Sequence, residues 1–321
     1  MDKLAPVLSG SKPPATPAEA LDLPAPPLPR AGLVLWLLQA IYGAESLYFR
    51  ALEASHRLGR RVHDSSQRVF AGLADLALTT VEKSRLTVRI YDTFPDYRSV
   101  GDTLHPWEVP WFGARLPPAP AHVLIGACGT GREAVALAVR GYRVDAVEPA
   151  PEFVAESRRR LGERGRVFRA SYEQLSALVL DTPDGDSPLQ RTRYDAVILG
   201  SGSLTHVLEP LEQERIVRAV ARLCPNGPIL ASFFCDADDA APPPAGRAQR
   251  LGRWLGRAIA RVRGLPTAPS PRLSYRAHSG FAYTYTPREI ERLARAAGRE
   301  VAWELGDLQP FTYVTLLPPR A

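Results

Sequence analysis

The sequence predicts an α/β protein in which a mostly parallel sheet carries helices on both faces, behind a helical N-terminal segment. Three observations carry this. Between His122 and Phe234 short apolar runs alternate with amphipathic stretches, as in successive strand–helix units. The first apolar run ends in the turn Gly126-Ala-Cys-Gly-Thr-Gly131, which opens a helix. The second run ends in an acid, Glu148, 17 positions after Gly131.

Taken in order, residues 1–30 carry eight prolines and few large apolar side chains, the composition of a disordered arm. From Leu33 the pattern turns helical: Leu33, Leu37, Ala40, Ala44, Leu47, Ala51, Ala54 and Leu58 recur at steps of three or four and mark one helix face. A second helix is expected over Ser65 to Val81. These helices and an aromatic, proline-punctuated connection (Tyr91 to Tyr97, then Leu104 to Glu108) make a cap over residues 31–116. Pro117-Pro118-Ala-Pro120 marks its boundary with a domain running over 117–321. In that domain strands are expected at His122–Ile125, Arg143–Val147, Arg166–Arg169, Tyr194–Leu199, Ile229–Phe234, Val301–Leu305 and Thr312–Leu317. Helices are expected at Arg132–Arg140, Glu152–Arg164, Glu212–Leu223 and Pro287–Ala297, and Gly141 and Gly298 suit two of the helix stops.

Composition excludes several classes. No apolar run reaches the roughly 18 residues of a membrane span; the best, Leu33 to Ala44, closes with Glu45. The N-terminus lacks the apolar centre of a secretory signal, so the expected location is cytoplasmic. Cys128, Cys224 and Cys235 have no metal-ligand spacing and read as small hydrophobes. The formal charge of +6 is local: Pro242 to Arg276 holds eight arginines and no acid, and without those eight charges +6 becomes −2. Within an insertion at 240–273, Arg247, Arg250, Arg253, Arg257 and Arg261 lie opposite Leu251, Leu255 and Ile259 on an amphipathic helix. Such a stripe suits an acidic substrate, a carrier protein or a membrane surface, or simply faces solvent.

The glycine turn and Glu148 point to a nucleoside ligand. Glycines there admit positive φ and let a ligand approach bare backbone, and a strand-terminal carboxylate can accept from both ribose hydroxyls. Gly129-Thr-Gly-Arg-Glu-Ala134 also fits the dinucleotide fingerprint, so a nicotinamide oxidoreductase competes. Against it stand the helical segment ahead of the loop and the helix and two strands that close the chain.

Val123-Leu-Ile-Gly-Ala-Cys-Gly-Thr-Gly131, Val144-Asp-Ala-Val-Glu148 and Tyr194-Asp-Ala-Val-Ile-Leu-Gly200 resemble the first, second and fourth strand motifs of class I S-adenosylmethionine-dependent methyltransferases. The resemblance covers about residues 105–317. It implies a Rossmann-like, seven-stranded sheet with an antiparallel last strand, and S-adenosylmethionine as cofactor. It implies that Cys128, Gly129, Gly131 and Gly200 line the cofactor, that Glu148 with Pro149 holds the ribose, and that Ser171 and Tyr172 flank the adenine. The chain departs from the pattern at Ile125, where the family has an acid, and at Ser171, where an Asp is common. In this fold the loop after the fourth strand, Gly200-Ser-Gly-Ser-Leu-Thr-His206, faces the reacting centre. His206 is the candidate base and Ser203 the loop's other polar candidate, while Tyr172 could stabilise a sulfonium from the sheet side. Aromatics ahead of the sheet (Tyr91, Tyr97, His105, Trp107, Trp111) either close over a sulfonium or pack the cap on the sheet. The favoured activity is methylation of a small molecule in bacterial specialised metabolism. A weaker resemblance, to enzymes that cyclise S-adenosylmethionine to azetidine-2-carboxylate with release of methylthioadenosine, names the alternative. A non-catalytic scaffold is the third reading. No Asn/Asp-Pro-Pro-aromatic motif stands at Gly200-Ser-Gly202, which argues against nucleic-acid methylation.

Overall fold

The computed structural model describes residues 33–93, 101–182, 187–237, 245–276, 279–304 and 311–319, for 33–52 and 54 as backbone. The proline-rich arm and Tyr97 lie outside the described residues. The chain divides into two compact units, Met1–Arg60 and Arg61–Ala321.

One helix, α1, runs from Leu33 to Ala77 and crosses from the first unit into the second. The two helices expected at Leu33–Leu58 and Ser65–Val81 are therefore one. No proline interrupts the stretch, and an interior Gly59 costs a helix only about 1 kcal/mol. A second helix, α2, spans Thr80–Thr93, a stretch left unread between the expected helix end at Val81 and the expected connection from Tyr91. It starts on a capping box: the Thr79 hydroxyl accepts from the Glu82 N–H (3.2 Å) and the Glu82 carboxylate accepts from the Thr79 N–H (2.8 Å). The short helix α3 (Glu108–Arg115) follows.

Then come β1 (His122–Gly126), α4 (Arg132–Val139), β2 (Arg143–Glu148), α5 (Pro151–Leu161), β3 (Gly165–Arg169), α6 (Tyr172–Leu180), α7 (Pro188–Arg191), β4 (Ala196–Leu199), α8 (Pro210–Leu223) and β5 (Ile229–Cys235). The remainder is α9 (Arg247–Arg263), β6 (Leu273–Arg276), β7 (Gly280–Tyr285), α10 (Pro287–Ala296), β8 (Glu300–Glu304) and β9 (Thr312–Leu317). Helices α6 and α7 and the hairpin β6–β7 are additions to the sequence reading.

Strands β3, β2, β1, β4 and β5 pair in that order and in parallel. Strand β9 inserts antiparallel beside β5, and β8 pairs antiparallel with β9. These seven strands are the expected frame with its antiparallel last strand. The hairpin extends it, since β7 pairs with β5 through Phe234 and Cys235, just beyond the reach of β9.

Side-chain alternation along β1 divides the core. Leu124 joins a cluster with Leu175 of α6, Ile216 of α8 and Leu293 of α10. Val123 and Ile125 join another with Trp111 of α3, Leu137 of α4 and Val154 of α5. Burying each such side chain contributes about 1.5–3 kcal/mol, which fixes the strand register and hence the loops at the C-terminal edge of the sheet. Cys128 and Cys224 are buried and Cys235 half-buried; all three are free thiols. Among the described residues no helix is long and apolar enough to cross a membrane.

Candidate active site at the carboxyl edge of the sheet

The β1–α4 turn is built on three left-handed residues: Ala127 (φ 48°), Gly129 (φ 56°) and Gly131 (φ 87°). The Cys128 N–H donates to the Val147 carbonyl (3.1 Å), tying the turn to the end of β2. The two glycines serve different ends. A Cβ on Gly129 would meet nothing within 4 Å, so the backbone there is open to a ligand. A Cβ on Gly131 would stand 3.0 Å from Ser157 Cβ, so this glycine lets α4 and α5 pack closely.

Glu148 is buried at the end of β2. Its Oε2 accepts from the Gly129 N–H (2.8 Å) and its Oε1 from the Ala150 N–H (2.9 Å), so it bridges the glycine turn and the start of α5 across Pro149. Burial pushes its pKa up to about 7, against the two backbone donors that favour the anion.

At the end of β3, Ser171 caps α6: its Oγ accepts from the Gln174 N–H (3.3 Å) while the Gln174 amide oxygen accepts from the Ser171 N–H (2.9 Å). Tyr172 turns inward. Its hydroxyl lies 2.7 Å from Ser203 Oγ, and its ring covers Gly126, where a Cβ would stand 2.7 Å away. Gly200 ends β4 against protein as well, because a Cβ there would meet the Glu133 carboxylate at 2.9 Å.

Ser203 and His206 occupy one 3₁₀ turn after β4. Ser203 pairs with Tyr172; His206 pairs with Tyr91 of α2, Nε2 to Oη at 3.0 Å. His206 Nδ1 lies 2.8 Å from the Phe281 carbonyl, which only accepts, so Nδ1 carries the proton. In the neutral ring Nε2 is then the lone-pair nitrogen, and Tyr91 donates to it. Burial pulls the His206 pKa below its usual value, overriding the Phe281 carbonyl, and Arg276 adds to the effect. Tyr91 also meets Phe153 edge-on, and its neighbour Asp92 accepts from the Glu152 N–H at the start of α5 (2.9 Å). Helix α2 thus spans from α5 to the β4 turn.

Several residues of this edge were not singled out by sequence reasoning. Arg132 bridges two acids, bidentate to Glu108 (2.5 and 2.6 Å) and 2.8 Å from Glu133, whose Oε1 also accepts from Ser201 Oγ (2.8 Å). Burial, with the nearby Glu108 carboxylate, pushes Glu133 up to about 8. The Arg276 guanidinium lies 3.7 Å over the Phe234 ring. Of these, only the run Gly131-Arg-Glu133 carries a local signal; the rest are contacts between distant segments. The aromatics His105, Trp107 and Trp111 belong to packing: Trp107 stacks on Tyr313 (4.6 Å) and Trp111 Nε1 donates to Thr315 Oγ1 (3.1 Å).

The site so built has a bare-backbone turn, a strand-terminal carboxylate and a polar turn on the next crossover. Residues 123–227 match the family model described as a methyltransferase domain. This segment is similar to a methyltransferase domain. It holds the glycine turn, Glu148, Tyr172, Ser203 and His206, with helix α2 before it and the strands after β4 beyond it. No curated protein sequence matches the chain. Among solved structures, an amino pentose methyltransferase of Micromonospora echinaspora, from calicheamicin biosynthesis, is 18% identical over 72% of this chain and 97% of that one, with a TM-score of 0.48. A 1,6-didemethyltoxoflavin-N1-methyltransferase of Burkholderia thailandensis is 19% identical over 75% and 88%, with a TM-score of 0.48. A methyltransferase of Methanosarcina mazei is 15% identical over 68% and 100%, with a TM-score of 0.47.

Proposed function

We propose that the methyltransferase domain binds S-adenosylmethionine at the β1–α4 turn and methylates a small acceptor held under α2. The single observation that carries this is Glu148, which reaches from β2 to the open Gly129 backbone and keeps acceptor capacity on both carboxylate oxygens for a ribose diol. The residues present fit the cofactor: bare backbone at Gly129 beside a carboxylate, with Cys128 and Pro149 flanking the two. When bound, the cofactor supplies an electrophilic methyl group.

The chain's own task is to place the acceptor and take its proton. His206 Nε2 is a lone pair held ready by the Phe281 carbonyl on the far nitrogen. Tyr91 Oη, already donating to Nε2, is the atom an acceptor hydroxyl or amine would meet; the acceptor proton passes to Oη as the tyrosine proton passes to His206. A depressed histidine pKa keeps the base neutral at pH 7, and a weak base suffices because the acceptor proton becomes acidic as the new bond forms. Ser203, on the same turn as His206, pairs with Tyr172, whose ring covers Gly126 at the start of the glycine turn. We place the acceptor in bacterial specialised metabolism and the protein in the cytoplasm.

The test is incubation of the purified chain with methyl-labelled S-adenosylmethionine and candidate acceptors, with mass spectrometry of the products. Label in an acceptor, with equimolar S-adenosylhomocysteine, is the expected outcome. Intact cofactor binding without labelling of any acceptor would count against the reading. The Tyr172–Ser203 pair gives the cyclisation alternative its one specific support, and methylthioadenosine formed with no acceptor present would establish it instead.

A further inference from the structure

Helix α9 packs with the opposite face from the one its leucines suggest. Its buried positions are Gly252, Gly256 and Ala260. Gly252 lies on the Val69 carbonyl and Gly256 on the Leu73 carbonyl, and Gly72 of α1 lies in turn on Gln249. The two backbones meet with almost no side chain between them. Arg253 points toward Asp75 (3.7 Å) and Arg263 pairs with Glu82 (2.8 Å), fixing the helix to α1 and α2.

This leaves an apolar stripe outward. Leu251, Leu255, Ala258 and Val262 follow at steps of three or four with Trp254 beside them, and Leu251 is 52%, Trp254 64% and Val262 90% exposed. Arg247, Arg250, Arg257 and Arg261 border it, and among the described residues none of the four has an acidic partner. A core helix would bury the stripe and a merely solvated one would lack it. An outward tryptophan and aliphatics flanked by uncompensated arginines, in a segment holding eight arginines and no acid, match the chemistry of an anionic lipid–water interface.

We propose that the exposed face of α9 docks on an anionic bilayer surface, the apolar stripe entering the headgroup boundary and the arginines meeting lipid phosphates. The site of chemistry would then work beside a membrane.

The experiment is co-sedimentation of the full chain with vesicles of phosphatidylcholine alone and of phosphatidylcholine mixed with phosphatidylglycerol, across a salt series. Binding to the anionic vesicles only, weakening with salt, is expected. Arg250→Gln, Arg257→Gln and Arg261→Gln should each weaken it about fivefold, and Trp254→Ala with Val262→Ser should abolish it. These positions face away from the glycine contact, so thermal unfolding of the variants should match the parent and serves as the folding control. Equal binding to neutral vesicles, undiminished binding by the variants, or self-association through this face without any vesicle binding would each overturn the proposal.

Discussion

Two glycines of one loop answer to different forces, and substitution separates them. Gly129→Ala places a Cβ in open space, so only the left-handed strain of about 1–2 kcal/mol is added, while the ligand-facing backbone is covered. Calorimetry with S-adenosylhomocysteine should show its affinity lost with the fold intact. Gly131→Ala adds the same strain plus contact with Ser157, so urea unfolding should register a larger loss of stability than at Gly129. A second pair of residues tests the proton path. Tyr91→Phe removes the donor to His206 Nε2 and leaves Nδ1 on the Phe281 carbonyl. Nitrogen NMR of His206 should show the Nδ1–H tautomer retained and the Nε2 shift changed; no change would mean that the two rings do not bond in solution. The glycine turn, Glu148, Ser203 and His206 were legible as residues because each sits next to a strand end. Their partners were not: Tyr91 to His206 and Tyr172 to Ser203 are encounters over long sequence separations that periodicity does not encode.

At the scale of elements, the alternation of strands and helices was readable wherever apolar runs had ordinary length and a glycine or proline stop. Besides the unread helices α3, α6 and α7, it failed in three places. Helix α1 was read as two because its apolar face thins after Leu58, although nothing there breaks a helix. Most of helix α2 was left unread, although Thr79 and Glu82 carry a capping box. The β6–β7 hairpin was missed because its strand Leu273–Arg276 is short and half-exposed, and is held by β7 rather than by the core. The packing face of α9 was not read, because leucine periodicity outweighs glycine in any hydrophobic pattern, whereas close backbone packing needs glycine. That contact is itself testable. Gly252→Val would drive two methyls into the α1 backbone and should destabilise the chain by about 1–3 kcal/mol in urea unfolding, with Gly59→Ala, in open space, as the harmless comparison.

At the scale of the whole molecule, burial of Glu148 couples stability, pH and ligand. Its folded pKa of about 7 lies above the ordinary 4.5, so the folded chain holds a proton that the unfolded chain has released. The stabilisation is fully present below pH 4.5 and is lost as pH rises through 7, an effect on the order of 3 kcal/mol. Unfolding of the unliganded chain across that window should show the decline, and Glu148→Gln should flatten it. A ribose diol needs the carboxylate, so cofactor binding near pH 6 should release a proton, seen as a dependence of the calorimetric heat on buffer ionisation enthalpy.

The most direct measurement of the central claim is calorimetry of S-adenosylhomocysteine against the parent chain and Glu148→Ala. The account predicts one site per chain in the parent and affinity lower by about 10- to 100-fold in the variant, the loss of hydrogen bonds to a charged group. Undiminished binding in the variant, or no binding by the parent where a nicotinamide dinucleotide binds instead, would contradict it.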